Sequence, residues 1–145
     1  MTLSNGETLE GEALMVAIGR QPNTRALNTA AAGIELDRKE FIKINERFQT
    51  TSEGVYAIGD VAGQPAFTHV SWEDYRRLMV ILCGETRTRS DRVLAYAVYT
   101  EPLVGRVGMT LAQAQKQGLN ARAVTLPMAH IARGIEWGQE LGFYT

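Results

Sequence analysis

The sequence predicts an α/β chain in two parts, and three observations carry that expectation. Two short, uninterrupted apolar runs, at residues 13–18 and 55–58, each end in turn-forming residues. Strands buried on both faces of an α/β sheet read this way. A helical pattern follows the second run, over about residues 70–82. Beyond it lies a polar stretch, residues 85–92, with three arginines and no apolar side chain; we read it as a solvated linker. The division therefore falls between residues 1–88 and 89–145.

Taken in order, the chain opens with Asn5-Gly6, a two-residue hairpin signal flanked by Leu3 and by Thr8-Leu9. The apolar run 13–18 follows and stops at Gly19-Arg20-Gln21-Pro22-Asn23. Asn23 or Thr24 is placed to cap a short helix over residues 25–32, and Gly33 supplies the left-handed residue that ends it. Ile34 and Leu36, then Ile42 and Ile44, alternate as half-buried strands do. Residues 50–54 form a turn, after which Val55-Tyr56-Ala57-Ile58 reads as a second buried strand that delivers Gly59-Asp60. The helix after it has Thr68 or Ser71 as cap, Gly84 as stop, and an apolar face of Val70, Tyr75, Leu78, Met79 and Leu82.

In the second part, Leu94, Tyr96, Val98 and Thr100 alternate, and residues 104–108 make a partner strand. Thr110-Leu111-Ala112-Gln113 is a capping box for a helix that Gly118 closes. Residues 123–126 read as a strand broken at Pro127, and Gly142-Phe143-Tyr144-Thr145 as the start of another. Tyr96, Tyr99 and Leu103 suit either a core or a subunit interface.

Composition limits the function classes. The chain has 145 residues, 45% hydrophobic and 21% charged, with a formal net charge of -1. A near-neutral balance argues against nucleic-acid or membrane-surface partners, which favour a basic excess. No apolar run approaches the roughly 20 residues that span a bilayer. The polar, turn-rich start does not read as a signal peptide. Cys83 is the single cysteine, so no internal disulfide or cysteine-only metal cage is expected, and its place among Ile81, Leu82 and Gly84 suggests a small packed residue. A cytoplasmic protein is the expectation. His69 and His130 stand too far apart in sequence to suggest a metal site.

The segment with most chemical content is Thr50-x-x-x-Gly54-Val55-Tyr56-Ala57-Ile58-Gly59-Asp60. A strand here delivers a glycine and then a carboxylate to the carboxyl end of a sheet, where open α/β sheets bind ligands. Glycine lets a ligand approach the backbone closely. Asp60 offers two acceptor oxygens to hydroxyl groups such as those of a ribose or ribitol chain. An ordinary strand-to-loop turn with an exposed aspartate fits the same residues.

Two further segments stand in a telling order around it: Ala17-Ile18-Gly19-Arg20-Gln21-Pro22-Asn23-Thr24 before, and Tyr96 to Thr110, with Glu101-Pro102 and Val107-Gly108-Met109-Thr110, after. Together the three resemble the pyridine nucleotide–disulfide oxidoreductases, in the mercuric reductase and dihydrolipoamide dehydrogenase branch. The resemblance spans nearly the whole chain. It implies the rear part of a Rossmann-like FAD/NAD(P)-binding fold followed by an incomplete α+β dimerisation domain. It also implies FAD as cofactor, NAD(P)H as co-substrate of the complete enzyme, and a homodimer.

Residue by residue, the resemblance implies that Asp60, presented by Gly59, hydrogen-bonds the ribitol hydroxyls of FAD. Gly19 and Arg20 would lie beside the cofactor. Ala66, Phe67 and Thr68 would lie under the isoalloxazine ring near its pyrimidine edge. The N-terminus of the following helix would then stabilise negative charge on the reduced flavin. The family's Gly-x-Gly-x-x-Gly loops, its redox pair Cys-x-x-x-x-Cys and its His-Pro-Thr-x-x-Glu segment are not among these 145 residues. The chain is therefore expected to contribute to an oxidoreductase without completing hydride transfer alone. A different reading is a non-catalytic self-association module, since unpaired strand edges seek partners.

Overall fold

Three tight turns of one design organise the first fifty residues of the computed structural model, which describes residues 1–145. In each, the N–H of the first residue donates to the carbonyl of the fifth: Leu3 to Glu7, Asp37 to Phe41, and Asn45 to Gln49. The fourth residue takes the left-handed conformation: Gly6, Glu40 and Phe48, at φ 84, 67 and 62. This is a three-residue loop with a left-handed residue at its end. Asn5-Gly6 thus makes a longer turn than a two-residue hairpin, because only Gly6 has a positive φ. In the other two turns an Asx side chain replaces the glycine signal. Asp37 Oδ1 accepts from the N–H groups of Lys39 and Phe41, at 2.8 and 3.0 Å. Asn45 Oδ1 accepts from Arg47 and Gln49, at 2.8 and 3.1 Å. Such side-chain bonds hold a backbone that the residue type alone would not choose.

The first two turns close antiparallel bridges Thr2–Thr8 and Leu36–Ile42, and a further turn, Thr50 N–H to Val55 O, closes the bridge Gln49–Tyr56. Ile42, Ala57 and Ala62 form a small buried cluster, with Ile34, Leu36, Ile44 and Val61 packed on it. Phe48, 0% exposed, is the largest side chain fully excluded from water. The expected helix over 25–32 is instead two 3₁₀ turns, Arg25–Leu27 and Thr29–Ala32, separated by a left-handed Asn28. Thr24 does not cap it; its buried hydroxyl donates to the Glu40 carbonyl at 3.0 Å. Gly33 ends the segment at φ 68, as its position suggests.

Residues 13–18 form no strand and are exposed, Ile18 to 95%. A strand buried on both faces needs a neighbour at each edge to satisfy its N–H and C=O groups, and no segment of this chain pairs with it. Residues 55–58 are only partly the buried strand expected: Ala57 is buried, whereas Val55 and Tyr56 remain accessible.

The one long helix, α1 (Thr68–Leu82), starts two residues earlier than its pattern suggests. Its buried residues are Val70, Asp74, Arg77 and Ile81, a stripe at helical spacing. Tyr75, Met79 and Leu82, expected to face the core, are exposed. Two charged groups occupy the inner face because they meet partners there. Residues 85–92 are correspondingly not a solvated linker. Arg89 pairs with Glu46 at 3.1 Å, and the Arg92 side chain is 6% exposed against Asp74. Arg77 bonds the Thr88 carbonyl at 2.8 Å and pairs with Asp91. Arg87 alone of the three arginines stays largely solvated. Cys83, at the helix C-cap, is exposed and not packed, since the inner stripe ends at Ile81.

The second part begins with an antiparallel hairpin of β1 (Ala95–Val98) and β2 (Val104–Val107), in register Ala95–Val107 to Val98–Val104. Helix α2 (Leu111–Lys116) carries the expected capping box: Thr110 accepts from the Gln113 N–H at 3.1 Å, and Gln113 Oε1 accepts from the Thr110 N–H at 2.8 Å. Strand β3 (Leu126–Pro127) pairs with β4 (Phe143–Tyr144), and α3 (Ala132–Glu136) lies between them in sequence. No helix is long and apolar enough to cross a membrane.

The whole exposes 11678 Å², where a compact monomer of this length exposes about 7,400 Å². Exposed large apolar side chains include Val107, Phe143 and Tyr144.

Two outcomes follow from these contacts. Phe48→Ala should cost about 3–5 kcal/mol, seen as a lower urea midpoint. Glu46 is held below the ordinary carboxylate value of 4.5, first by the Ser90 hydroxyl; desolvation opposes the shift, and Arg89 adds to it through its hydrogen bond and charge. Its contribution is full above that ordinary value and is lost as pH falls through the depressed one. The Ser90 amide resonance, bonded to Glu46 Oε2 at 3.3 Å, should therefore titrate below 4.5, and Glu46→Gln should abolish that titration.

Candidate functional site

The segment Thr50 to Asp60 is built to deliver its last two residues against a helix end. Thr50 is buried, its hydroxyl donates to the Ser52 carbonyl at 3.2 Å, and its N–H reaches Val55 O at 2.8 Å. That closes the turn and sends residues 55–58 back past Phe48, whose carbonyl accepts the Ala57 N–H at 3.0 Å. The chain then enters a 3₁₀ turn, Gly59–Ala62, closed by Gly63 at φ 66. Val61 O accepts from Ile42 N–H at 2.9 Å, which ties this turn to the small core.

Gly59 is buried with φ 69, and its N–H donates to Asp74 Oδ2 at 2.9 Å. A Cβ at this position would sit 2.6 Å from Ser71 Oγ and 3.2 Å from Ser71 Cβ. Glycine is required here twice over, by the backbone angle and by the closeness of α1. Asp60, the next residue, points into solvent. Its backbone carbonyl accepts from Gly63, and no protein group bonds its carboxylate.

The first turn of α1 lies against this carboxylate-bearing turn. Phe67 is the N-cap, in extended conformation, and its carbonyl accepts the N–H groups of Val70 and Ser71. Neither Thr68 nor Ser71 caps the helix with its hydroxyl. The backbone N–H groups of Thr68 and His69 meet no protein acceptor. Two free donors and the positive end of the helix dipole therefore stand at this point.

Arg20 joins the same place from a distant part of the chain: its Nη1 donates to the Ala66 carbonyl at 3.2 Å. Val16, Ile18, Gly19, Arg20 and Gln21 line an open concavity beside it. The structure thus brings Gly19, Arg20, Ala66, Phe67 and Thr68 together, with Gly59 and Asp60 on the adjoining turn. The Phe67 ring stacks on Tyr96 at 5.1 Å and on His69 at 5.4 Å. His69 Nε2 donates to the Ala95 carbonyl at 2.6 Å, which puts a proton on that nitrogen. Phe67 and His69 therefore clamp the first turn of α1 to strand β1, and Tyr96 is half-buried in that contact, with the Arg106 guanidinium 5.9 Å from its ring centroid. Tyr99 and Leu103 remain exposed, as does Trp137.

Three charged residues that sequence reasoning missed hold this arrangement: Asp74, Arg77 and Arg92. Asp74 is 0% exposed, and its Oδ1 pairs with Arg92. Arg77 accommodates Glu73 at 2.7 Å on one side and residues 88 and 91 on the other. The signal was available in the spacing, since Val70, Asp74, Arg77 and Ile81 share one face, but a charged stripe ordinarily marks the solvent side.

The two glycines bounding the turn give a direct test. Gly59→Ala and Gly63→Ala both incur ~1–2 kcal/mol from the positive φ. Gly63 has only ordinary contact, with Phe41 Cγ at 3.5 Å. Gly59→Ala should therefore be clearly more destabilising than Gly63→Ala in urea unfolding, and Ser71→Ala should recover part of the difference.

Residues 1–74 match the family described as "Pyridine nucleotide-disulphide oxidoreductase", and residues 94–145 match "Pyridine nucleotide-disulphide oxidoreductase, dimerisation domain". The chain is 40% identical over 124 residues to the probable pyridine nucleotide-disulfide oxidoreductase RclA of Escherichia coli, covering 84% of this chain and 28% of that protein. It is 34% identical to a dihydrolipoyl dehydrogenase of Vibrio cholerae, over 86% of this chain and 26% of the relative. A mercuric reductase of Lysinibacillus sphaericus is 36% identical, over 89% and 24%. The chain thus spans less than a third of the length of these relatives. Among solved structures, the HOCl-induced flavoprotein disulfide reductase RclA from E. coli superposes with a TM-score of 0.76 at 38% identity, over 88% of this chain and 30% of that one. LpdA from Mycobacterium tuberculosis gives 0.81 at 29% identity, over 98% and 31%. With both family matches falling on the two parts of the fold and the Gly59-Asp60 turn inside the first, the chain belongs to the pyridine nucleotide-disulphide oxidoreductases.

Proposed function

We propose that this chain supplies the second FAD-binding motif, and part of a dimer interface, to an FAD-dependent enzyme that moves electrons from NAD(P)H to a disulfide or related acceptor. The observation that carries the reading is the pairing of an unengaged carboxylate, Asp60, with the unsatisfied N-terminus of α1. A polyhydroxyl chain needs acceptors for its O–H groups, and a negatively polarised ring edge needs donors. Both are present on adjoining turns, Gly59–Ala62 and the start of α1, so the residues fit FAD.

In this reading Asp60 accepts hydrogen bonds from ribitol hydroxyls, and Gly59 allows the close approach. The N–H groups of Thr68 and His69 face the pyrimidine edge and favour negative charge there. Gly19 lines the neighbouring concavity, and Arg20 braces the Ala66 carbonyl. Phe67 fixes the start of the helix under the ring, since its side chain is engaged by Tyr96 and His69 and its backbone by Pro65, Val70 and Ser71. Bound FAD supplies the two-electron chemistry, for which no side chain here is equipped. These 145 residues contain one cysteine and no Gly-x-Gly-x-x-Gly loop, so we place hydride transfer in an assembly that includes residues outside them.

The first part is proposed to run to residue 88 and the second from 89. Homodimerisation through the second part is supported by the exposed apolar side chains of β2 and β4 and by the excess surface. The same observation favours self-association as a separate property, independent of flavin.

Flavin binding decides between them. After incubation with FAD and removal of free cofactor, the chain should retain visible flavin absorbance. Asp60→Ala should weaken binding by roughly ten- to a hundredfold, the loss of one charged hydrogen-bonding group. A chain that stays colourless, or one whose affinity ignores Asp60→Ala, would sink the cofactor role and leave self-association.

A further inference from the structure

Asp74 is the only residue of α1 that holds the Gly59–Asp60 turn on one side and the junction to the second part on the other. One carboxylate oxygen accepts the Gly59 N–H at 2.9 Å. The other meets the guanidinium of Arg92, two residues before the β1 hairpin region opens at Leu94. Both partners are out of water: Asp74 is 0% exposed and the Arg92 side chain 6%. A buried carboxylate in this setting has no alternative partner, so each of its two bonds constrains the other. Arg92 also reaches Gln64 Oε1 at 3.5 Å, and Gln64 Nε2 donates to the Ala62 carbonyl at 3.4 Å. The turn is therefore gripped at its start through Asp74 and at its end through Gln64, both from Arg92.

Within the junction itself, Arg92 Nε donates to the Arg89 carbonyl at 3.3 Å. Its Nη1 is buried without a hydrogen-bond partner, 3.9 Å from Glu73 Oε2. The junction's link to the start of the turn therefore runs through Asp74, and through Asp74 to the Gly59 N–H.

We propose that Asp74 is a positioning residue that aims the Asp60 carboxylate and couples cofactor binding at that turn to the seating of the junction that carries the second part of the chain. The proposal rests on the reading of the turn as an FAD site. Its consequence is reciprocal: loosening the junction at Arg92, which touches neither Asp60 nor the helix N-terminus, weakens flavin binding, and bound flavin tightens the junction by the same factor.

The test uses the full chain with FAD as the probe, in the parent form and in Asp74→Asn, Arg92→Gln, the double variant and Asp60→Ala. Flavin fluorescence gives the FAD dissociation constant, and amide hydrogen exchange without FAD reports the Gly59 N–H. The Ala57 N–H, bonded to Phe48 O, serves as the internal reference for global stability. Arg92→Gln should raise the dissociation constant by at least about fivefold and speed Gly59 exchange relative to Ala57. The double variant should be no weaker than Asp74→Asn, because both changes break one linkage. The proposal is overturned if Arg92→Gln leaves Gly59 exchange at the parent rate, or if Gly59 and Ala57 accelerate in step, as global destabilisation would give. If the parent chain takes up no FAD, the cofactor reading fails by itself, and the Gly59-to-Ala57 exchange ratio still decides whether Asp74 links turn and junction.

Discussion

Removing a carboxylate from water costs several kcal/mol unless its charge is met and its lone pairs are filled. Asp74 satisfies both conditions with groups that come from different regions of the chain, the Gly59 N–H and the Arg92 guanidinium. Its burial therefore fixes three things at once. The strand-to-loop turn must end where Gly59 can donate, α1 must present Asp74 inward, and residues 88–92 must fold back along the helix. Arg77 repeats the arrangement one turn further on, against Glu73, Thr88 and Asp91. A helix with so few apolar residues on its inner face is held by these polar contacts in place of a large core.

The same constraint shapes the ligand-facing side. Gly59 lies so close to Ser71 that a methyl group would collide with it, and that closeness seats the Asp60 turn against the first turn of α1. Because Phe67 caps the helix with backbone alone, the N–H groups of Thr68 and His69 stay unpaired. An acceptor-rich carboxylate and a donor-rich helix end stand side by side. Neither is strong alone in water. Together they suit a ligand that offers hydroxyls to one and a polarised acceptor edge to the other.

A chain this open is stabilised mainly by local devices. The Asx side chains of Asp37 and Asn45, the capping box at Thr110, and the Phe67–Tyr96 stack each act over short range. Residues 13–18 leave their backbone unpaired, and the two small sheets leave apolar side chains exposed, surface of the kind that interfaces bury.

Features that depend on neighbours within a few residues were determined by the sequence itself. The stop at Gly33, the capping box of α2, the β1–β2 hairpin, the extent of α1 to within two residues and the delivery of Gly59-Asp60 are of this kind, and the motifs were enough to place the chain in its family. The left-handed Glu40 and Phe48 escaped notice because an Asx side chain, and for Phe48 complete burial, overrode their residue preference. What only the tertiary structure decided was which charges go inside. The partners of Asp74 lie 15 and 18 residues away, and that of Arg20 lies 46 away. A helical pattern ranks residues by their own affinity for water. Whether Asp74 and Arg92 can leave water depends on each finding the other, and that is a property of the folded arrangement alone.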